Sequence, residues 1–289
     1  MIVALTGASG FLGRRLCTRL LGGGHEVRAL VRDPAALAEV FPGVRTGRCD
    51  LPDLLDEGLL AGADALVHAA WATREVDRGR ARRVDVDGMR RVVEAVRRAG
   101  VARLVFVSTV AASPDAPSDY GRTKHAMEAL CDPQRDLIVR PGLVLAREGG
   151  GLFPTLAAAA QRLHVVPVFG GGRQPLQTIH IDDCCEGIVR ALERGLTGAV
   201  NLAEPDPPDV RTFFRMMAER RRIRVAFVPL PFGPVLAVLR ALESLGLPVP
   251  LRSESLLGLK GLRQVPVADD LRRLGLRVRS AAESLADLG

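Results

Sequence analysis

Residues 6–13 read Thr6-Gly7-Ala8-Ser9-Gly10-Phe11-Leu12-Gly13, and this stretch decides the fold. It follows Ile2–Thr6, an apolar run of strand character, and opens into Leu12, Leu16 and Leu20, which recur on one helix face. Glycine suits a strand–turn–helix junction for three reasons. A tight turn needs positive φ. A pyrophosphate can meet bare backbone only where no Cβ intervenes, and the helix must pack closely on the strand. The free amides of the helix N-terminus then attract the anion. Gly7, Ser9, Gly10, Phe11, Leu12 and Gly13 are therefore candidate dinucleotide-phosphate contacts.

Beyond the turn, strands are expected at Glu26–Val31, Ala65–Ala69, Arg103–Thr109, Asp136–Arg140 and Ala199–Leu202. Val86, Met89, Val93 and Val96 mark a helix that ends at Gly100, and further helices are expected from Val210 and over Asp269–Leu276. Strands alternating with amphipathic helices predict an α/β fold, a doubly wound parallel sheet of Rossmann type. Its expected extent is residues 1–145, with 146–289 mostly a smaller substrate lobe and about 175–203 returning to the sheet. Gly149–Gly151, Gly170–Gly172 and Pro205, Pro207 and Pro208 punctuate the second part, and 228–252 is rich in Pro and Leu.

The chain has 289 residues, 47% hydrophobic and 25% charged, with a net charge of +7. Its basic residues are scattered arginines, with only Lys124 and Lys260 as lysines, and aromatics are just 4%, so a nucleic-acid partner is not expected. Gly233–Leu247, the most apolar run, is short and interrupted by Arg240 and Glu243, so neither a membrane span nor a membrane partner is expected. A glycine motif starting at residue 7 leaves no room for a signal peptide, and a cytoplasmic protein is expected. Cys17, Cys49, Cys131, Cys184 and Cys185 form no C-x-x-C pair, which points to buried free thiols and no metal site.

Two further features carry chemistry. Arg32 closes the second strand, where an acid would grip a ribose diol, and a guanidinium there suits a 2′-phosphate. NADP is thereby favoured over NAD, with Asp33 as the ribose acid if the strand ends one residue later. Tyr120, the single tyrosine, precedes Lys124 by one helical turn. A nearby ammonium stabilises a phenolate, so the pair suits proton exchange on a substrate oxygen.

The G-x-x-G-x-x-G spacing, the Tyr–Lys pair, His68-Ala69-Ala70, Arg140-Pro141-Gly142 and Ile179-His180-Ile181-Asp182-Asp183 together resemble the short-chain dehydrogenase/reductase superfamily. The match covers most of the chain and is to its extended or atypical, NAD-dependent epimerase/dehydratase-like members. The resemblance implies that Thr109, with Ser108 as runner-up, completes a Ser/Thr-Tyr-Lys triad, and that Lys124 also holds the nicotinamide ribose. It places Asp50 and Leu51 at the adenine, His68, Ala69 and Ala70 beside the nicotinamide, and Arg140 and Pro141 after the following strand. It further implies a possible homodimer through the helix from Val86 and the Tyr120 helix. His180 is expected to be structural, and Trp71 either walls the substrate pocket or packs.

This chain departs from the pattern in three places. Asp85 stands where the family often has Asn, which puts the family's water relay in doubt. Leu176 stands where nucleotide-sugar enzymes carry a diphosphate-clamping Arg, with Arg173 as a possible substitute. Tyr120 follows Thr109 by only 11 positions, which shortens the loop beside the substrate. The expected function is an NADP-dependent oxidoreductase, a ketone or aldehyde reductase or alcohol dehydrogenase, acting on a small organic or natural-product molecule. The alternatives are an epimerase or dehydratase with transient substrate oxidation, and a non-catalytic NAD(P)-binding protein.

Overall fold

The computed structural model describes residues 1–72, 78–147, 162, 164–247, 249 and 251–288; Gly149–Gly151 lie outside them. The chain divides into two compact units. The first comprises Met1–Thr109, Thr123–Arg140 and Ile181–Asn201; the second comprises Val110–Arg122, Pro141–His180 and Leu202–Gly289.

In the first unit the chain alternates strand and helix. β1 (Ile2–Thr6), α1 (Phe11–Gly22), β2 (Glu26–Val31), α2 (Pro34–Val40), β3 (Arg45–Asp50) and the short β4 (Leu54–Leu55) come first. β5 (Ala65–His68), α3 (Arg78–Arg98), β6 (Arg103–Val107), α4 (Asp119–Glu128) and β7 (Leu137–Pro141) follow. After β8 (Leu143–Leu145), β9 (Val165–Phe169) and β10 (Thr178–His180), α5 (Ile181–Glu193) and β11 (Gly198–Leu202) return to the sheet. The strand order is β11-β7-β6-β5-β1-β2-β3-β4, the expected doubly wound arrangement. β1 pairs in parallel with both β2 and β5, and Thr6 sits opposite His68. The strand order reverses between β1 and β5. Sheets of this kind bind ligands in the crevice at such a reversal.

Nearly continuous burial along β1, β2, β5 and β6 explains why these strands read as apolar runs rather than alternating ones. Leu5, Leu30, Leu66, Leu104 and Phe106 are fully covered, each buried side chain of this kind contributing about 1.5–3 kcal/mol. Helix α3 turns Met89, Val92 and Val96 inward, while Val86 and Val93 lie only partly covered. Helix α5 lies against α1 through two ion pairs, Arg15 with Asp182 and Arg19 with Glu186, and His25, in the turn after α1, is hydrogen-bonded to Glu193 at 3.1 Å.

Some boundaries differ from expectation. β6 stops at Val107, so Ser108 and Thr109 stand just beyond its carboxyl end. Asp136 precedes β7 as a buried carboxylate that accepts from Arg97 and, at 2.8 Å, from the Asp132 amide. β3 was not expected, because Arg-Thr-Gly-Arg-Cys-Asp offers small residues where it turns inward. A Cβ at Gly47 would come within 2.5 Å of Leu59 Cδ1, so the small residue is what the packing requires.

The second unit holds β8–β10, α6 (Val210–Arg220), β12 (Ala226–Leu230), α7 (Phe232–Ser244), α8 (Ser253–Lys260), α9 (Ala268–Leu274) and α10 (Ala281–Leu288). The last of these was not expected from sequence. Its core gathers Val166, Val168, Phe213, Phe214, Met217, Leu256 and Leu285. Leu176 belongs to this core too, so apolar packing fills the position where an arginine clamp would stand. Glu204 secures the terminal helix from inside, accepting from the Thr178 hydroxyl at 2.6 Å and the Ala281 amide at 2.8 Å. His180 is bonded through Nδ1 to Arg279 at 2.6 Å and lies 3.3 Å from an Asp287 oxygen, which makes it a structural tie. Among the described residues no helix is long and apolar enough to cross a membrane.

Candidate active site

The glycine turn is shaped by close approach. Gly7 has φ +74°, and a Cβ there would lie 2.7 Å from both Ala69 C and Ala70 N. A Cβ on Gly13 would stand 2.0 Å from the Gly7 carbonyl oxygen. The first turn of α1 thus rests on the turn itself. Gly10 occupies the N-cap with no side-chain hydrogen bond to the first amides, an arrangement that suits an anion. Ser9 and Phe11 are exposed, and Leu12 and Ala69–Ala70 are half-buried. His68-Ala69-Ala70 thus borders the turn at the sheet's reversal point. The geometry fits a dinucleotide pyrophosphate.

Arg32 follows β2 and is exposed. Asp33 begins α2 as its N-cap, accepting from the Ala36 amide at 3.1 Å. Asp50 ends β3 with its side chain exposed, and Leu51 packs beneath Gly88 of α3, where a Cβ would come within 3.0 Å.

Helix α4 carries Tyr120 and Lys124 one turn apart. Ser118 caps it, its hydroxyl accepting from the Gly121 amide at 3.2 Å. Gly121 is required because a Cβ would come within 2.6 Å of the Ala111 carbonyl oxygen. Tyr120 is 38% exposed, whereas Lys124 is 4% exposed and donates to the Val107 carbonyl at 2.8 Å. Burial pulls the Lys124 ammonium down to about 8, partly opposed by the Asp85 and Glu128 carboxylates.

The two hydroxyls after β6 differ. Ser108 Oγ donates to Glu128 Oε1 at 2.5 Å, and Arg140 donates to the two Glu128 oxygens at 2.9 and 2.6 Å. Ser108 and Arg140 are thus joined through one buried carboxylate. Glu128 was not singled out from sequence, though it lies one further turn along the Tyr120–Lys124 face. Thr109 is buried at the strand's end. Pro141 ends β7, and its carbonyl accepts from the Val110 amide at 3.0 Å.

His68 Nδ1 is hydrogen-bonded to Thr6 Oγ1 at 2.7 Å. Burial, aided by Lys124, drives its pKa down to about 3, so the ring is neutral and serves to tie β5 to β1. All five cysteines are buried free thiols, with Cys49, Cys131 and Cys184 pushed up to about 12 by burial. Among the described residues no cluster of three metal-ligating side chains occurs.

A doubly wound sheet, a glycine cradle at its reversal point and a Tyr–Lys helix define a Rossmann protein of the extended short-chain dehydrogenase/reductase class. Residues 3–203 match the NAD dependent epimerase/dehydratase family, and the chain belongs to it. It is 32% identical over 270 residues to a 4-hydroxy-2-methyl-3-oxo-4-farnesyl-3,4-dihydroquinoline-1-oxide ketoreductase of Stigmatella aurantiaca, covering 83% of this chain and 79% of that relative. With a ceramide reductase of Caulobacter vibrioides it shares 35% identity over 212 residues, covering 70% of this chain but 64%, just under two thirds, of the relative. The NADPH-dependent quinone oxidoreductase QOR2 of Escherichia coli, solved with NADPH, shares the fold at a TM-score of 0.76 and 22% identity, covering 99% of each chain.

Proposed function

We propose that this protein is an NADP-dependent oxidoreductase exchanging a hydride with the carbonyl or alcohol carbon of a small organic molecule. The observation that carries this reading is the Tyr120–Lys124 pair on α4, with an ammonium only 4% exposed. When bound, a nicotinamide dinucleotide supplies the hydride chemistry.

Residues Gly7–Gly13 hold its pyrophosphate on bare amides, and Arg32 pairs with a 2′-phosphate while Asp33 is occupied as a helix cap. Tyr120 gives or takes the proton of the substrate oxygen as general acid/base. Lys124 lowers the phenol pKa and orients the ribose, and Thr109 donates to the substrate oxygen. Two relatives named as reductases, of a farnesylated quinoline oxide and of ceramide, support an organic carbonyl as substrate. The core position of Leu176 counts against a nucleotide sugar.

The test is Tyr120→Phe assayed with NADPH and a panel of ketones and aldehydes. Turnover is expected to fall roughly 10²–10⁴-fold, with NADPH binding by calorimetry unchanged. Wild-type turnover in the variant refutes the assignment, and substrate isomerisation without net NADPH consumption supports transient oxidation instead.

A further inference from the structure

Lys124 Nζ lies 4.6 Å from the centroid of the Trp71 ring and 4.8 Å from that of Phe106. A cation between two aromatic faces is held by their quadrupoles, the more so when water is excluded. Phe106 is fixed within β6. Trp71 sits on the segment after β5, and its position depends on what holds that backbone. The next amide, Ala72 N, donates to Asp85 Oδ1 at 2.9 Å. Asp85 is a buried residue of α3.

Asp85 from α3, Glu128 from α4 and His68 from β5 bear on Lys124, and the titratable Tyr120 precedes it by one turn of α4. Glu128 is already paired with Arg140, and His68 is neutral. Both carboxylates favour the ammonium, Asp85 more than Glu128. We propose that Asp85 and Trp71 form a positioning clamp on Lys124: the carboxylate keeps the ammonium charged and pins the Trp71–Ala72 backbone, and the indole face holds the ammonium in place. The contacts behind the clamp are Lys124 on the Trp71 ring and the Ala72–Asp85 hydrogen bond; its effect on turnover rests on the function proposed above.

Burial raises the Asp85 carboxyl to about 6, against the opposing pull of the Ala72 amide and Lys124. The clamp therefore weakens as pH falls through that value and Asp85 loses its charge. Removing the carboxylate lowers the Lys124 pKa, because the neutral amine is then favoured in the dry site.

The chain has only two lysines, so protein labelled with ¹³Cε-lysine gives one signal for Lys124 and one for the exposed Lys260. Asp85→Asn keeps an acceptor for the Ala72 amide and removes only the charge. It is expected to lower the Lys124 titration midpoint by about one unit or more and leave Lys260 unmoved. Trp71→Leu is the second variant. It is expected to displace the Lys124 methylene signals by losing the ring current, with Trp71→Phe restoring part of the shift. An unmoved Lys124 midpoint in Asp85→Asn, or unmoved methylene signals in Trp71→Leu, overturns the clamp whatever the turnover. A moved midpoint in a protein that reduces no carbonyl leaves the clamp standing and sinks the oxidoreductase reading.

Discussion

The Ser108 hydroxyl donates to a Glu128 oxygen 2.5 Å away, and the same carboxylate receives both arms of Arg140. A hydroxyl bound to a buried, doubly paired acid serves the scaffold. The proposed reading gives the substrate oxygen to the neighbouring Thr109, buried just beyond β6. Thr109→Val is thus expected to lower turnover about 10²–10³-fold, the usual loss for one donor to a developing oxyanion. Ser108→Ala is expected to cost about 1.5–3 kcal/mol of stability, as for a hydrogen bond to a charged group, while turnover changes only a few-fold. Steady-state kinetics and denaturant unfolding of the two variants check this, and the reverse pattern would exchange the roles.

The glycine turn gives a graded prediction. A Cβ at Gly13 meets the Gly7 carbonyl at 2.0 Å, whereas at Gly10 it meets the same oxygen at 3.3 Å. Gly13→Ala is expected to destabilise the fold by roughly 1–3 kcal/mol through overpacking and to abolish dinucleotide binding. Gly10→Ala is expected to fold with little loss. Melting curves with and without NADPH separate the two.

Cofactor choice is expected to turn on Arg32. Arg32→Ala removes the partner of a 2′-phosphate and should weaken NADPH binding by about 1.5–3 kcal/mol with NADH nearly unaffected. Asp33→Ala loses a helix cap, worth about 1 kcal/mol, and leaves the preference as it was. Calorimetric titration with both dinucleotides decides, and a selective loss of NADH on removing Asp33 would reassign it to the ribose.

His68 sets a pH dependence of stability. Its folded pKa is about 3, below the value of 6.5 in an open chain. As pH falls below 6.5 the unfolded chain gains a proton that the folded state refuses, so stability present above 6.5 is lost as pH falls towards 3. His68→Asn is expected to flatten the decline in denaturant midpoint between pH 7 and pH 4 relative to wild type. Equal slopes would show that other groups govern it.

The glycine spacing, the apolar strand runs and the Tyr–Lys interval were legible along the chain because each depends on local chemistry: positive φ, two-sided burial, one helical turn. From those followed the doubly wound sheet and the glycine turn at its reversal point. The charge partners of the site were not legible. Glu128 reads as an ordinary helix acid until α4 brings it to Ser108 and Arg140 from other elements. Asp85 lies 13 positions beyond Ala72 and accepts from its amide only because α3 brings the carboxylate back to the segment after β5. Burial decides what a carboxylate or an ammonium does, and burial is a property of packing between distant segments, which only the tertiary structure sets.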